Sequence, residues 1–154
     1  MSISEIITPD RIKTGQAVQS KKKALEEISA LLASGTPYLT ETEIFTSLVN
    51  REKLGSTAVG DGIAIPHGRV GVESAIGACV ILDEGVDFEA NDDKPVDVLF
   101  GLLVPEDANE THLKILASLA EMSMQDDFGS RIRSLAEAED VHNLLAKLTT
   151  TEEA

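Results

Sequence analysis

His67 and His112, with Arg51 upstream of both, are the residues of this sequence whose types and settings bear most on chemistry. His67 lies between Pro66 and Gly68. Before it come the apolar run Ile63-Ala-Ile65 and the glycine-rich stretch Arg51-Glu-Lys-Leu-Gly-Ser-Thr-Ala-Val-Gly-Asp-Gly62. Pro66 fixes its own φ and drives Ile65 toward extended geometry, while Gly68 permits a turn or a close approach. The expected local structure is a strand that ends by presenting one nucleophilic ring nitrogen at a loop. Near neutral pH an imidazole is substantially unprotonated and attacks an electrophile such as a phosphoryl group without a separate base. A histidine that merely hydrogen-bonds within its loop fits the same residues, which by themselves leave both readings open. Gly55, Gly60 and Gly62 match neither a P-loop nor a G-x-G-x-x-G turn.

His112 falls in the first turn of an expected helix, just after the apolar run Val96–Val104. In open α/β sheets ligand sites gather there, outside the carboxyl ends of strands. A helix N-terminus disfavours a protonated imidazole and favours an anion, so His112 is expected to be neutral and able to donate to a phosphoryl oxygen. A surface histidine bonded to its preceding loop is the alternative. Arg51 can bind a phosphoryl group, which adds roughly −2 charge, through its guanidinium fork. It also suits a helix C-terminus as a plain cation. Ser56, Thr57, Gly60 and Gly62 are candidates for completing an anion nest. His142 sits among Val141, Leu144, Leu145 and Leu148 and reads as a surface helix residue. A zinc site of His67, His112 and an acidic residue lacks any His-Glu-x-x-His or Cys/His ligand spacing, and no metal is expected.

Arg51-Glu-Lys-Leu-Gly-Ser-Thr57 and Gly60-Asp-Gly-Ile-Ala-Ile-Pro-His-Gly68 resemble the active-site signature of phosphotransferase-system EIIA domains of the fructose/mannitol type. Within that family the similarity is to the nitrogen-regulatory EIIA proteins (PtsN type). It continues through Pro95-Val-Asp-Val-Leu-Phe-Gly-Leu-Leu-Val-Pro105 to Thr111-His112-Leu113, and so spans the globular part of the chain. The resemblance implies that His67 carries the phosphoryl group, on Nε2, and that His112 lies beside it. It implies an HPr-like phosphocarrier protein as donor, and no cofactor enters.

The elements that must position these residues are legible in outline. A turn of helix is expected around Ile3–Ile7 and a strand near Ile12–Val18. Ser20 can cap a helix from Lys21 to about Ser34, with Ala24, Leu25, Ile28, Leu31 and Leu32 at helical spacing and Gly35 at its exit. Thr40-Glu-Thr-Glu43 is a capping-box pattern opening a second helix, which delivers Arg51 at its end. Ile63–Ile65, Ala75–Leu82 and Val96–Val104 are the strand candidates, the last two apolar enough for central strands covered on both faces. Helices follow at about Thr111–Met124, Phe128–Leu135 and Asp140–Leu148. The pattern predicts an α/β fold: a single-domain sandwich with a mixed parallel/antiparallel sheet flanked by helices over residues 1–150, with a frayed acidic tail at 151–154.

Composition excludes several classes. A net charge of −14, from 27 acidic and 13 basic residues, opposes binding to a phosphate backbone, so no nucleic-acid partner is expected. Lys21-Lys22-Lys23 is the only basic cluster and reads as surface. The start of the sequence lacks the basic and apolar regions of a signal peptide, and no run approaches ~20 apolar residues, so no membrane insertion is expected. The single Cys79 lies in an apolar run and reads as a small buried hydrophobe. A cytoplasmic, reducing setting is the expectation.

The sequence therefore reads as a phosphohistidine carrier and regulator, with His67 as nucleophile, His112 as hydrogen-bond donor and Arg51 as charge stabiliser. The positioning and charge demands of a loose phosphoryl-transfer transition state require little else. One alternative is a sugar-specific fructose or mannitol EIIA passing phosphate to an EIIB, which the stand-alone length and the Arg-Glu-Lys-Leu-Gly-Ser-Thr match disfavour. Another is a non-catalytic binding regulator of a sensor kinase or potassium-transport component, as the nitrogen-regulatory resemblance implies.

Overall fold

The computed structural model describes residues 2–153, with side chains through residue 148. The chain runs α1 (Ile3–Ile6), a 3-10 turn (Pro9–Arg11), β1 (Ile12–Gln16), α2 (Lys21–Ser34) and α3 (Glu41–Glu52). The short strands β2 (Ala58–Gly60), β3 (Ile63–Ala64) and β4 (His67–Val70) come next, then the long β5 (Ile76–Val86) and β6 (Val96–Pro105). Three helices close the chain: α4 (Glu110–Ser123), α5 (Phe128–Arg133) and α6 (Ala138–Glu153). Ala154 and the side chains from residue 149 on lie outside the described residues, and with them the frayed tail expected at 151–154.

The helix starts follow their caps. Ser20 accepts from the Lys23 N–H at 3.1 Å, which satisfies one of the unpaired donors of the first turn of α2. Thr40 does the same for Glu43 at 3.1 Å. The capping box there is half formed: Thr40 Oγ1 donates to the Glu43 carboxylate, so that side chain does not cap the Thr40 N–H.

One mixed sheet has the order β1-β5-β6-β3-β2, with β4 also paired to β6. β5 and β6 are antiparallel, whereas β1 runs parallel to β5, and β3 and β4 parallel to β6. The central apolar runs are covered on both sides because alternate residues face opposite layers. Cys79, Ile81, Val98, Phe100, Leu102 and Val104 pack with the side of the sheet that α1, α4, α5 and α6 cover. Ala78, Val80, Leu82, Leu99 and Leu103 pack against α2 and α3. Phe100 and Phe128 meet at a ring-centroid distance of 6.1 Å, tilted by 38°, and tie α5 to the sheet centre. Cys79 is fully buried, and desolvation pushes its thiol pKa far up, so it acts as a small apolar side chain. The α/β sandwich with a mixed sheet expected from the sequence is the observed architecture.

Two local expectations need correction. The stretch before His67 is not a free glycine-rich loop but a hairpin, β2–β3, whose turn residues Asp61 and Gly62 both have positive φ (55° and 76°). That is the type I′ turn an Asp-Gly pair favours. Nor does the strand end at His67. β3 and β4 lie along β6 in one unbroken register, Ile63↔Val98, Ala64↔Leu99, His67↔Leu102, Gly68↔Leu103. Pro66 lacks an N–H and interrupts the ladder, yet its carbonyl still accepts from Leu102 N at 2.9 Å. His67 therefore opens a strand held by the central β6.

Candidate functional site

The β4 register decides which way His67 faces. His67 and Arg69 sit opposite Leu102 and Val104 and share the α4 side of the sheet, while Gly68 and Val70, which alternate with them, are buried. Gly68 faces α3, where a Cβ would collide with Ser47 Oγ and come within 3.2 Å of Ser47 Cβ. Glycine here lets α3 approach the strand closely enough to bring its C-terminal turn, with Arg51, beside His67.

A cavity of about 410 Å³ collects these elements. His67 and Arg69 from β4, Arg51 from α3, and His112 from α4 all line it, with Leu102 and Leu116 among its apolar walls. Three residues read from the sequence as far apart as 51 and 112 thus meet in one place. Leu54 and Leu113 also line it and are 84% and 48% exposed, which makes them apolar rims rather than core.

His67 Nδ1 lies 2.8 Å from the Ile65 carbonyl. A carbonyl can only accept, so Nδ1 carries the proton and Nε2 holds the lone pair. Burial is the main force lowering the His67 pKa below its usual 6.5, and the Arg51 charge adds to it. The Ile65 hydrogen bond and the Glu52 carboxylate act the other way without reversing the direction. The imidazole is therefore neutral and nucleophilic at pH 7. Because the folded pKa is depressed, the unfolded chain binds more protons in the window below about 6.5. The contribution of His67 to stability is present above that value and is lost as pH falls through the folded pKa. Urea midpoints at pH 5 and pH 7 should therefore fall further on acidification for wild type than for His67→Ala. Parallel losses would contradict a depressed pKa.

His112 is held by the start of its own helix. Asn109 Oδ1 accepts from His112 N at 3.4 Å and from Thr111 N at 2.9 Å, and His112 Nδ1 accepts from Asn109 N at 3.3 Å, so Asn109 and His112 form a reciprocal capping box. Since Nδ1 accepts, the ring proton sits on Nε2. Two imidazoles with complementary tautomers thus line one cavity: one has a free lone pair on Nε2, the other an Nε2–H donor. Local bonding and an available donor, taken as alternatives for His112 from the sequence, hold together.

Arg51 donates from Nη1 to Gly55 O at 2.9 Å, bracing the turn after α3 and leaving its other N–H groups unassigned to any acceptor among the described residues. Glu52, which the sequence reading passed over, organises that turn. Its side chain is buried, 5% exposed, and its carboxylate accepts from Thr57 N at 3.1 Å and from Thr57 Oγ1. Lys21 Nζ lies 3.1 Å from it and also 4.7 Å over the Phe88 ring. A buried carboxylate needs such partners, and a glutamate five residues before a threonine across a Gly-Ser turn was the available signal.

This corrects the nest expected of Ser56, Thr57, Gly60 and Gly62, none of which lines the cavity. Ser56 Oγ donates to Phe88 O at 2.7 Å, and the Thr57 hydroxyl is taken by Glu52. Gly60 and Gly62 flank Asp61 at the hairpin turn, where Asp92 accepts from Asp61 N at 3.1 Å and Arg133 donates to Asp61 O. Hairpin glycines and satisfied hydroxyls looked like a phosphate cradle because both use small polar residues. His142 is not a plain surface residue either. Its Nε2 donates to Ser4 O at 2.8 Å and pins α1 to α6, away from the cavity. The expected basic cluster divides as well, Lys21 going to Glu52 and Lys23 to Glu26 at 3.3 Å. Among the described residues no group of three or more His, Cys, Asp or Glu is placed to hold a metal ion, and no helix is long and apolar enough to cross a membrane.

Known proteins resemble this chain over most of its length. Residues 5–148 match the family described as phosphoenolpyruvate-dependent sugar phosphotransferase system, EIIA 2. A nitrogen regulatory protein of Pseudomonas aeruginosa is 46% identical over 144 residues, covering 93% of this chain and 94% of that protein. The fructose-specific EIIA component of Haloferax volcanii is 32% identical, covering 96% and 99%. The crystal structure of nitrogen regulatory protein IIA-Ntr from Neisseria meningitidis superposes with a TM-score of 0.88 at 41% identity, covering 93% of this chain and 98% of that one. With the match running from the first helix to the last and the nitrogen regulatory relatives the more similar of these, the chain belongs to the EIIA 2 family of the phosphotransferase system.

Proposed function

We propose that this protein is a phosphohistidine carrier and regulator of nitrogen-regulatory type, which accepts a phosphoryl group on His67 Nε2 from a phosphorylated HPr-like carrier. The observation that carries this reading is the pairing of tautomers in one cavity: the Ile65 carbonyl holds Nδ1–H, and the capping box of α4 leaves His112 with Nε2–H. In the transfer, the Nε2 lone pair attacks phosphorus in line, the donor's P–N bond breaks, and its electron pair returns to the donor nitrogen. The proton stays on Nδ1, donated to Ile65 O, whose carbonyl dipole favours the positive ring that forms. His112 donates to an oxygen of the transferring group, and Arg51 offsets its charge.

Arg51→Ala should slow single-turnover transfer and lower the phosphorylated fraction, with Arg51→Lys between it and wild type because an ammonium lacks the fork. A rapid-quench assay measures both. Unchanged transfer in Arg51→Ala would leave Arg51 only as the brace on Gly55.

Regulation is the second part of the reading. Leu54 and Leu113 expose apolar surface on the same cavity, so a docked protein would cover His67 directly and sense an added dianion there. The nitrogen regulatory names of the similar proteins support this output over sugar transport. A sensor kinase or a potassium-transport component is the class of target. The deciding experiment is phosphoenolpyruvate-driven labelling with the host's carrier proteins, followed by peptide mapping: an acid-labile label on the His67 peptide is expected, and a label elsewhere refutes the assignment.

A further inference from the structure

We infer that Arg69 is a second guanidinium for the phosphoryl group, meeting it at the cavity once it is attached to His67. The inference rests on His67 being the phosphoryl acceptor. Strand geometry supplies the placement. Residues two apart on a strand point to the same face, about 6.6 Å apart, and the register His67↔Leu102, Arg69↔Val104 keeps both on the α4 side. An arginine side chain spans that distance. Both residues line the cavity, and Arg69 is exposed while its strand neighbours Gly68 and Val70 are buried.

The second observation is that the guanidinium is uncommitted. Arg133 is bound to Asp97 at 2.9 Å and to Asp61 O. Arg11 donates to Gly77 O and Ile6 O, each at 3.0 Å. Arg51 itself gives one N–H to Gly55. Among the described residues, Arg69 has neither a carboxylate within ion-pair distance nor a hydrogen-bond acceptor, in a chain with 27 acidic side chains. The cavity walls at Leu102, Val104, Leu113 and Leu116 offer it no counter-charge. Arg69 is also not among the charges acting on the bare imidazole, whereas Arg51 is. Its head therefore stands off from the bare ring. A phosphoryl group brings roughly −2 charge, more than one guanidinium offsets, and planar forks bind such oxygens bidentately.

The test uses phosphoramidate, a donor too small to touch anything outside the cavity, beside the phosphorylated protein donor. With phosphoramidate the His67 Nε2–P bond forms as the P–N bond breaks, and its electron pair leaves with the amine nitrogen. Initial labelling rates are compared for wild type, Arg69→Ala, Arg69→Lys, Arg69→Met and His67→Ala, with a ³¹P spectrum of each product and a urea melt of each variant. Arg69→Ala is expected to slow labelling about 10-fold with either donor, less than the loss of a fully enclosed oxyanion donor because the site is open to water. Arg69→Lys should recover part of the rate, Arg69→Met should not, and all should melt with wild type. Rates in Arg69→Ala within about two-fold of wild type for both donors would overturn the role. Slowing confined to the protein donor would overturn it too, by making Arg69 a docking contact. Failure of wild type to label, or labelling of His67→Ala, would instead remove the His67 reading itself.

Discussion

His67→Ala abolishes acid-labile labelling and leaves the fold standing; that is the largest effect expected of any single change here. Chemistry is lost outright, because neither other histidine can replace the nucleophile. His112 uses its Nδ1 as an acceptor in the α4 cap, and His142 is bonded to Ser4 O far from the cavity. The structural cost is small. The side chain is half-buried and makes one hydrogen bond, to Ile65 O, whose loss is worth about 1 kcal/mol. The backbone of β4 remains paired to β6 through Gly68, Arg69 and Val70. Labelling with peptide mapping, beside a denaturant melt, checks both halves. Acid-labile phosphate surviving in the variant would sink the assignment, as would a wild-type label on His112 or His142.

His112→Ala should slow transfer by roughly 10–1000-fold, the scale of losing one preorganised donor or somewhat less. The structure adds a cost that the sequence did not predict. His112 is the reciprocal partner in the Asn109 capping box, so the alanine variant also gives up a cap contact and about 1 kcal/mol of stability. His112→Gln separates the two effects. Glutamine is a natural third residue of a capping box: its carbonyl oxygen can accept from Asn109 N, and its amide can donate to the phosphoryl group. The expected order of transfer rates is wild type, then glutamine, then alanine, with the glutamine variant melting close to wild type. Rapid-quench transfer and urea melts measure this directly. Equal transfer in wild type and His112→Ala would confine His112 to capping. So would a glutamine variant that restores stability and has no rate advantage over alanine.

Much of this protein was legible along its own length, wherever the signal is local. The α2 helix begins at Lys21 because Ser20 caps it, and α3 ends with Arg51 in its last turn, as the spacing of apolar residues and the Thr40 cap require. Local caps and 3.6-residue periodicity need no distant partner to be read. The apolar runs likewise imply central strands whatever their order. The chemistry proposed for His67 rests on its Pro-His-Gly setting together with the family resemblance.

The tertiary structure decided what depends on partners remote in sequence. Whether Ser56 and Thr57 face an anion or a neighbour is set by Phe88 O and Glu52, which no local pattern announces. The Asp61-Gly62 pair was a readable hairpin signal, but the docking of its turn depends on Asp92 and Arg133. That Pro66 interrupts the strand at His67 without ending it depends on register with β6, about 35 residues away. The same register places Arg69 beside His67 and carries the α4 cap, with His112, to one cavity with Arg51. A side chain's direction in a sheet flips with each residue of register, so composition and spacing name the candidate groups, and tertiary pairing decides which of them meet.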